Sequence, residues 1–112
     1  MSSSIHDKIA AEIASEPVVL FMKGTPVAPQ CGFSATVVQI LTQLGVPFKG
    51  INVLADAELR QGIKEFNNWP TIPQLFIKGE FIGGCDIVKA SYQSGELAQQ
   101  LTDAGINLGQ NA

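Results

Sequence analysis

The two cysteines of this 112-residue chain, Cys31 and Cys85, are its side chains best suited to covalent chemistry. They are too few for a disulfide-stapled secreted framework and too far apart for a CxxC pair, so a reducing compartment is the expected home. Cys31 follows the segment Gly24-Thr25-Pro26-Val27-Ala28-Pro29-Gln30, whose two prolines and glycine predict a loop. It precedes Val37, Ile40, Leu41 and Leu44, which recur at helical spacing until Gly45 and Pro47 supply a stop. A thiol that opens a helix faces unpaired backbone N–H groups and the positive end of the dipole. Both favour the thiolate, which is the nucleophilic and metal-binding form. Lys23, at the end of the preceding apolar run, would add a cation. A lone free cysteine is usually a small buried hydrophobe. Here the Pro-rich loop before Cys31 and Gly32 after it predict an exposed loop-to-helix junction.

The elements that must hold Cys31 follow from hydrophobic periodicity. Ile5, Ile9 and Ile13 mark one face of an opening helix, with Ser4 as its expected cap and Pro17 as its stop. Val18-Val19-Leu20-Phe21-Met22 is a continuous apolar run of the kind found in strands buried on both faces. Phe48 to Val53 predicts a second strand. Asp56 predicts the cap of a helix carrying Leu59, Ile63 and Phe66 on one face. Gln74 to Ile77, the turn Lys78-Gly79-Glu80, and Phe81-Ile82 have the form of a hairpin ended by Gly83-Gly84. Asp86 is the expected cap of a further helix with Ile87, Val88 and Tyr92, and Leu97 and Leu101 mark a last one. Strand, helix, strand requires a parallel pair, and the hairpin adds antiparallel strands. The expected fold is therefore α/β and thioredoxin-like, with a central four-stranded mixed β-sheet flanked by helices on both faces. The single domain spans residues 1–112, with a core over about residues 4–104 and a flexible tail over 105–112.

Composition removes several partner classes. Seven basic against ten acidic residues give a net charge of −3, and Arg60 is the sole arginine. A nucleic-acid protein would show a basic excess. Val18 to Met22 is far short of the ~20 apolar residues of a membrane span, and the N-terminal residues lack the apolar run of a signal peptide. Neither nucleic acid nor membrane is an expected partner, and the expected location is cytoplasmic.

Cys31-Gly32-Phe33-Ser34 resembles the signature of the monothiol, CGFS-type glutaredoxins. The resemblance extends to Lys23-Gly24-Thr25-Pro26, Trp69-Pro70-Thr71-Ile72-Pro73-Gln74 and Gly83-Gly84-Cys85-Asp86, and covers about Pro17 to Leu101 in one order. Ser34 stands where dithiol relatives carry a second cysteine, so no local disulfide can form there. The resemblance implies a [2Fe–2S] cluster at a homodimer interface. Such a cluster takes four thiolates. Cys31 from each of two subunits, as catalytic and metal-binding residue, would supply half, and one glutathione sulfur per subunit the rest. The chain would be a monomer without the cluster, and would hand the cluster to apo iron–sulfur clients.

The resemblance also implies the glutathione contacts. Lys23 and Arg60 would receive the glycine carboxylate; the plainer roles are an edge-protecting lysine and a solvated helix-face arginine. Lys64, one turn after Arg60, would be an auxiliary cation outside the main set. Ile72, before a cis Pro73, would turn its backbone toward the peptide. The N–H of Cys85 and the N–H and carboxylate of Asp86 would meet the γ-glutamyl end. The Cys85 thiol is either incidental or the resolver of a glutathionylated Cys31. Cluster assembly and delivery is the preferred function. A weak glutathione-dependent oxidoreductase acting through Cys31 is the first alternative, and a regulatory adaptor for a BolA-like partner is the second.

Overall fold

The computed structural model describes residues 2–109. The central strand is β1 (Val18–Met22), and all five of its residues are buried. It pairs in parallel with β4 (Lys49–Asn52), with Phe21 opposite Ile51, and antiparallel with β5 (Gln74–Ile77), with Leu20 opposite Leu75. β6 (Glu80–Gly83) completes a four-stranded mixed sheet of order β4-β1-β5-β6. Side chains alternate along a strand, so β1 serves two cores. Val18, Leu20 and Met22 pack with Val37 and Leu41 of α2 (Gly32–Gln43), Val88 of α4 (Cys85–Ser94), and Leu97 and Leu101 of α5 (Glu96–Asp103). Val19 and Phe21 point the other way, onto Ile5, Ile9 and Ile13 of α1 (Ser2–Ser15) and Leu59 and Ile63 of α3 (Ala57–Asn67). This is the thioredoxin-like arrangement, with helices on both faces.

Gly62 brings the two outer helices together, because a Cβ there would lie 3.1 Å from Ile5 Cγ1. Asp56 caps α3 as its position predicts, Oδ1 accepting from the N–H groups of Glu58 at 3.0 Å and Leu59 at 3.3 Å. A cap of this kind contributes ~1 kcal/mol. The hairpin turn is Lys78-Gly79, with φ of 52° and 82°, the sign pattern of the two-residue turn whose twist suits paired strands.

Four details differ from the sequence-based expectation. α1 begins at Ser2, so Ser4 lies inside the helix rather than at its cap. The cap of α4 is Gly84, which places Asp86 within the first turn. The segment expected as a plain loop after Lys23 contains a short antiparallel ribbon, β2 (Gly24–Thr25) with β3 (Ala28–Pro29). The chain beyond Ala104 is not a free tail over residues 105–109. Ile106 and Leu108 pack on the α2 side of the core, and the Gly109 N–H donates to the Leu44 carbonyl at 3.0 Å. Two apolar side chains in five residues are too few for a periodic signal, yet enough to cover the end of α2; residues 110–112 lie outside the described part.

Candidate functional site

Cys31 is the cap residue of α2, in extended conformation at φ −150° and ψ 135°. A cap side chain faces the N–H groups two and three residues ahead, here those of Phe33 and Ser34. Neither closes a capping hydrogen bond to the neutral sulfur. Both nevertheless stabilise the anion, and the Cys31 thiol is pulled below its ordinary 9.0. The Ser34 N–H contributes most, with help from the Phe33 N–H, the Lys23 charge and the Ser34 hydroxyl, against partial desolvation.

Ser34 is fully buried, and its Oγ accepts from the Lys23 N–H at 3.0 Å. The residue beneath the thiol therefore ties the first turn of α2 to the end of β1. The Lys23 carbonyl accepts from the Gln30 N–H at 2.9 Å, which closes the ribbon directly before Cys31.

Cys31 opens onto a cavity of about 490 Å³, within the range of small-ligand sites. Lys23 lines it from the end of β1, Phe33 from α2 and Lys64 from α3. Another wall is the segment Trp69 to Pro73, where the Ile72–Pro73 peptide is cis. That segment is held from below by Gln74, fully buried at the start of β5. Its Nε2 donates to the carbonyls of Trp69 and Thr71, each at 3.2 Å, and its Oε1 accepts from Asn67 Nδ2 at 3.2 Å. The Trp69 ring meets Phe81 edge-on at 5.1 Å, so the indole is anchored to the sheet as well as lining the cavity.

The last wall is the start of α4, from Gly84 to Ile87. A Cβ on Gly84 would lie 3.3 Å from both the Pro73 carbonyl oxygen and Trp69 Nε1. A glycine there lets the two walls meet. Cys85 and Cys31 are both free and partly buried on the same cavity. Their surroundings differ in sign. Desolvation, the Asp86 carboxylate and the nearby Cys31 raise the Cys85 thiol, with only Lys89 opposing.

A glutaredoxin family model matches residues 18–82, which carry the central strands, α2 and the Trp69 to Pro73 wall. The uncharacterized monothiol glutaredoxin ycf64-like of Synechocystis sp. is 54% identical over 101 residues, covering 90% of this chain and 94% of that one. The chain belongs to the monothiol glutaredoxin family. Its fold is shared with solved glutaredoxins. A monomeric truncated mutant of Trypanosoma brucei 1-C-Grx1 superposes with a TM-score of 0.85 at 45% identity, over 94% of this chain and 96% of that one. A buckwheat glutaredoxin–glutathione complex superposes with a TM-score of 0.81 at 27% identity, over 93% of each chain.

Of the glutaredoxin site residues anticipated from sequence, Lys23, Cys31, Ile72, Cys85 and Asp86 line one cavity. Arg60 does not. It is exposed on α3, and Lys64, one turn later, reaches the cavity wall instead. Gln74 and the long-range bond of Ser34 were not anticipated as site features. Both are buried polar groups that hold the backbone of site segments, and although each stands in a motif of the family resemblance, the motif does not say which backbone groups its side chain holds.

Proposed function

We propose that the cavity binds glutathione and that the protein carries a [2Fe–2S] cluster between two copies of the chain for delivery to apo-proteins. One observation carries the reading: a thiolate-favouring Cys31 opens on a preformed cavity, with a buried serine in place of a second thiol. Glutathione is an extended peptide with a carboxylate at each end. Lys23 and Lys64 supply cations for one carboxylate, while Arg60, exposed on α3, lies outside the cavity lining. The Ile72 backbone meets the peptide, and the first turn of α4 at Cys85 and Asp86 receives the γ-glutamyl end, as a helix N-terminus favours an anion. The buckwheat complex, similar in fold over 93% of each chain, supports the choice of ligand.

The donor set also favours a shared cluster. Among the described residues no group of three or more His, Cys, Asp or Glu side chains could hold a metal. A [2Fe–2S] cargo takes four ligands, so Cys31 from each of two chains and the thiolates of two bound glutathiones complete the set. The protein's part is to present Cys31 as a thiolate and to orient the tripeptide sulfur beside it.

A second reading rests on the same lowered thiol: Cys31 acts as a glutathione-dependent oxidoreductase. The Cys31 thiolate attacks the glutathione sulfur of a mixed disulfide, the substrate thiolate leaves, and a Cys31–glutathione disulfide forms. A second glutathione thiolate then attacks the bound glutathione sulfur, releasing oxidised glutathione and restoring Cys31. Two free cysteines fit a reducing, cytoplasmic location. Docking of a BolA-like adaptor would use the exposed Phe33 and Ile87 at the cavity rim.

Anaerobic reconstitution with iron, sulfide and glutathione tests the preferred reading. A coloured dimer that reverts to monomer when glutathione is removed is expected, and its loss in Cys31→Ser. A cluster that survives Cys31→Ser, or no cluster at all, overturns it. Rapid turnover of glutathionylated substrate without cluster uptake favours the oxidoreductase.

A further inference from the structure

Asn52 ends β4 and does not line the cavity. Its Oδ1 accepts two hydrogen bonds of 2.9 Å, from the Leu54 N–H and from the Gly24 N–H. The first caps the 3-10 turn Val53–Ala55 that follows β4. The second reaches across 28 residues of sequence to the start of β2.

Gly24 is buried, with φ at 95°, and a Cβ there would lie 2.5 Å from the Gln30 nitrogen and 2.7 Å from the Ala28 oxygen. The chain turns sharply at this residue, immediately after Lys23. A turn that only glycine can make has no side chain of its own to hold it. The neighbouring elements hold it instead. Ser34 Oγ accepts the Lys23 N–H at 3.0 Å from one side, and Asn52 Oδ1 accepts the Gly24 N–H from the other. The two peptide groups flanking Lys23 are clamped between α2 and β4.

We propose that Asn52 is a positioning residue for the cavity: by holding the Gly24 N–H it sets the direction in which the Lys23 side chain leaves β1. That direction governs how much of the Lys23 charge reaches a carboxylate bound in the cavity. The inference rests on the reading of the cavity as a glutathione site. Asn52 acts through Lys23 and does not touch the ligand.

The test is a double-mutant cycle on the full chain with Asn52→Ala, Lys23→Met and the pair. The affinity for glutathione is read in each, and the NMR contacts of the Lys23 side chain with the cavity wall are read with and without Asn52→Ala. Asn52→Ala alone should shift the Lys23 contacts and weaken glutathione binding several-fold, and the loss of affinity should not appear when it is added to Lys23→Met. A folded Asn52→Ala protein with unaltered Lys23 contacts and affinity overturns the proposal, and so does a loss of affinity that simply adds to that of Lys23→Met. If Asn52→Ala does not fold, Asn52→Ser, whose oxygen sits one bond closer to its own backbone, is put through the same cycle with the same criteria. If the wild-type chain binds no glutathione, the ligand assignment falls, while the Lys23 contacts still decide the role of Asn52.

Discussion

Two helices, α2 and α4, point their N-termini into the same cavity, and each brings a cysteine, yet the two thiols are pushed in opposite directions. The helix dipole is common to both, so it does not decide the outcome. Backbone N–H groups at the cap of α2 and burial at Cys85 do. Cys31 is the cap residue, whose side chain turns back over the N–H groups of Phe33 and Ser34. Cys85 follows the cap, Gly84, and is already inside the helix, and no backbone N–H is among the causes acting on its thiol. Desolvation raises Cys85 most, and local charge reinforces the split, with Lys23 acting on Cys31 and Asp86 on Cys85. One residue of offset along a helix start thus accompanies one thiol pulled down and another pushed up.

The contrast can be broken most completely by removing each sulfur in turn. Cys31→Ser should abolish the glutathione adduct formed with oxidised glutathione, whereas Cys85→Ser should keep it, as intact-mass spectra would register. Ser34→Ala comes next. It leaves the part-buried Lys23 N–H without its acceptor and should cost about 1–3 kcal/mol in denaturant unfolding. It should also raise the Cys31 alkylation midpoint while leaving that of Cys85 in place. Lys23→Met should raise the Cys31 midpoint with little effect on stability, since only its charge is lost. The smallest change is expected for Asp86→Asn, which removes one of the causes holding Cys85 up and should lower its midpoint without altering Cys31.

Stability should follow pH in opposite senses through the two groups. Cys31 is lowered in the folded protein, so its thiolate stabilises the fold fully above the unfolded value of 9.0, and that contribution is lost as pH falls through the folded value. Cys85 is raised, so its contribution is present below 9.0 and is lost as pH rises through the folded value. With Cys31→Ser, unfolding free energy should therefore fall more steeply with pH above 9.0 than in Cys85→Ser.

The elements that carry this site were legible wherever local pattern decides them. The apolar run of β1, the Asp56 cap and the Lys78-Gly79 turn are each encoded within a few residues, and Cys31 could be placed at a helix start from its neighbours alone. What depends on tertiary approach was not legible. Arg60 and Lys64 are one turn apart, and the small difference in helical phase that puts Lys64 on the cavity is set by how α3 packs on α1. Gln74 and Asn52 read as polar residues in or beside strands, and their roles emerge only where loops distant in sequence present unpaired backbone groups to them. The ribbon β2–β3 has two residues per strand, below the length at which alternation can be recognised.

The central claim is the inequality of the two thiols, and a site-resolved titration tests it most directly. Alkylation of the reduced wild-type chain across a pH series, with the Cys31 and Cys85 peptides quantified from the same samples, gives both midpoints at once. A Cys31 midpoint below 9.0 and a Cys85 midpoint above it are expected. Coincident midpoints, or the reverse order, would contradict that inequality.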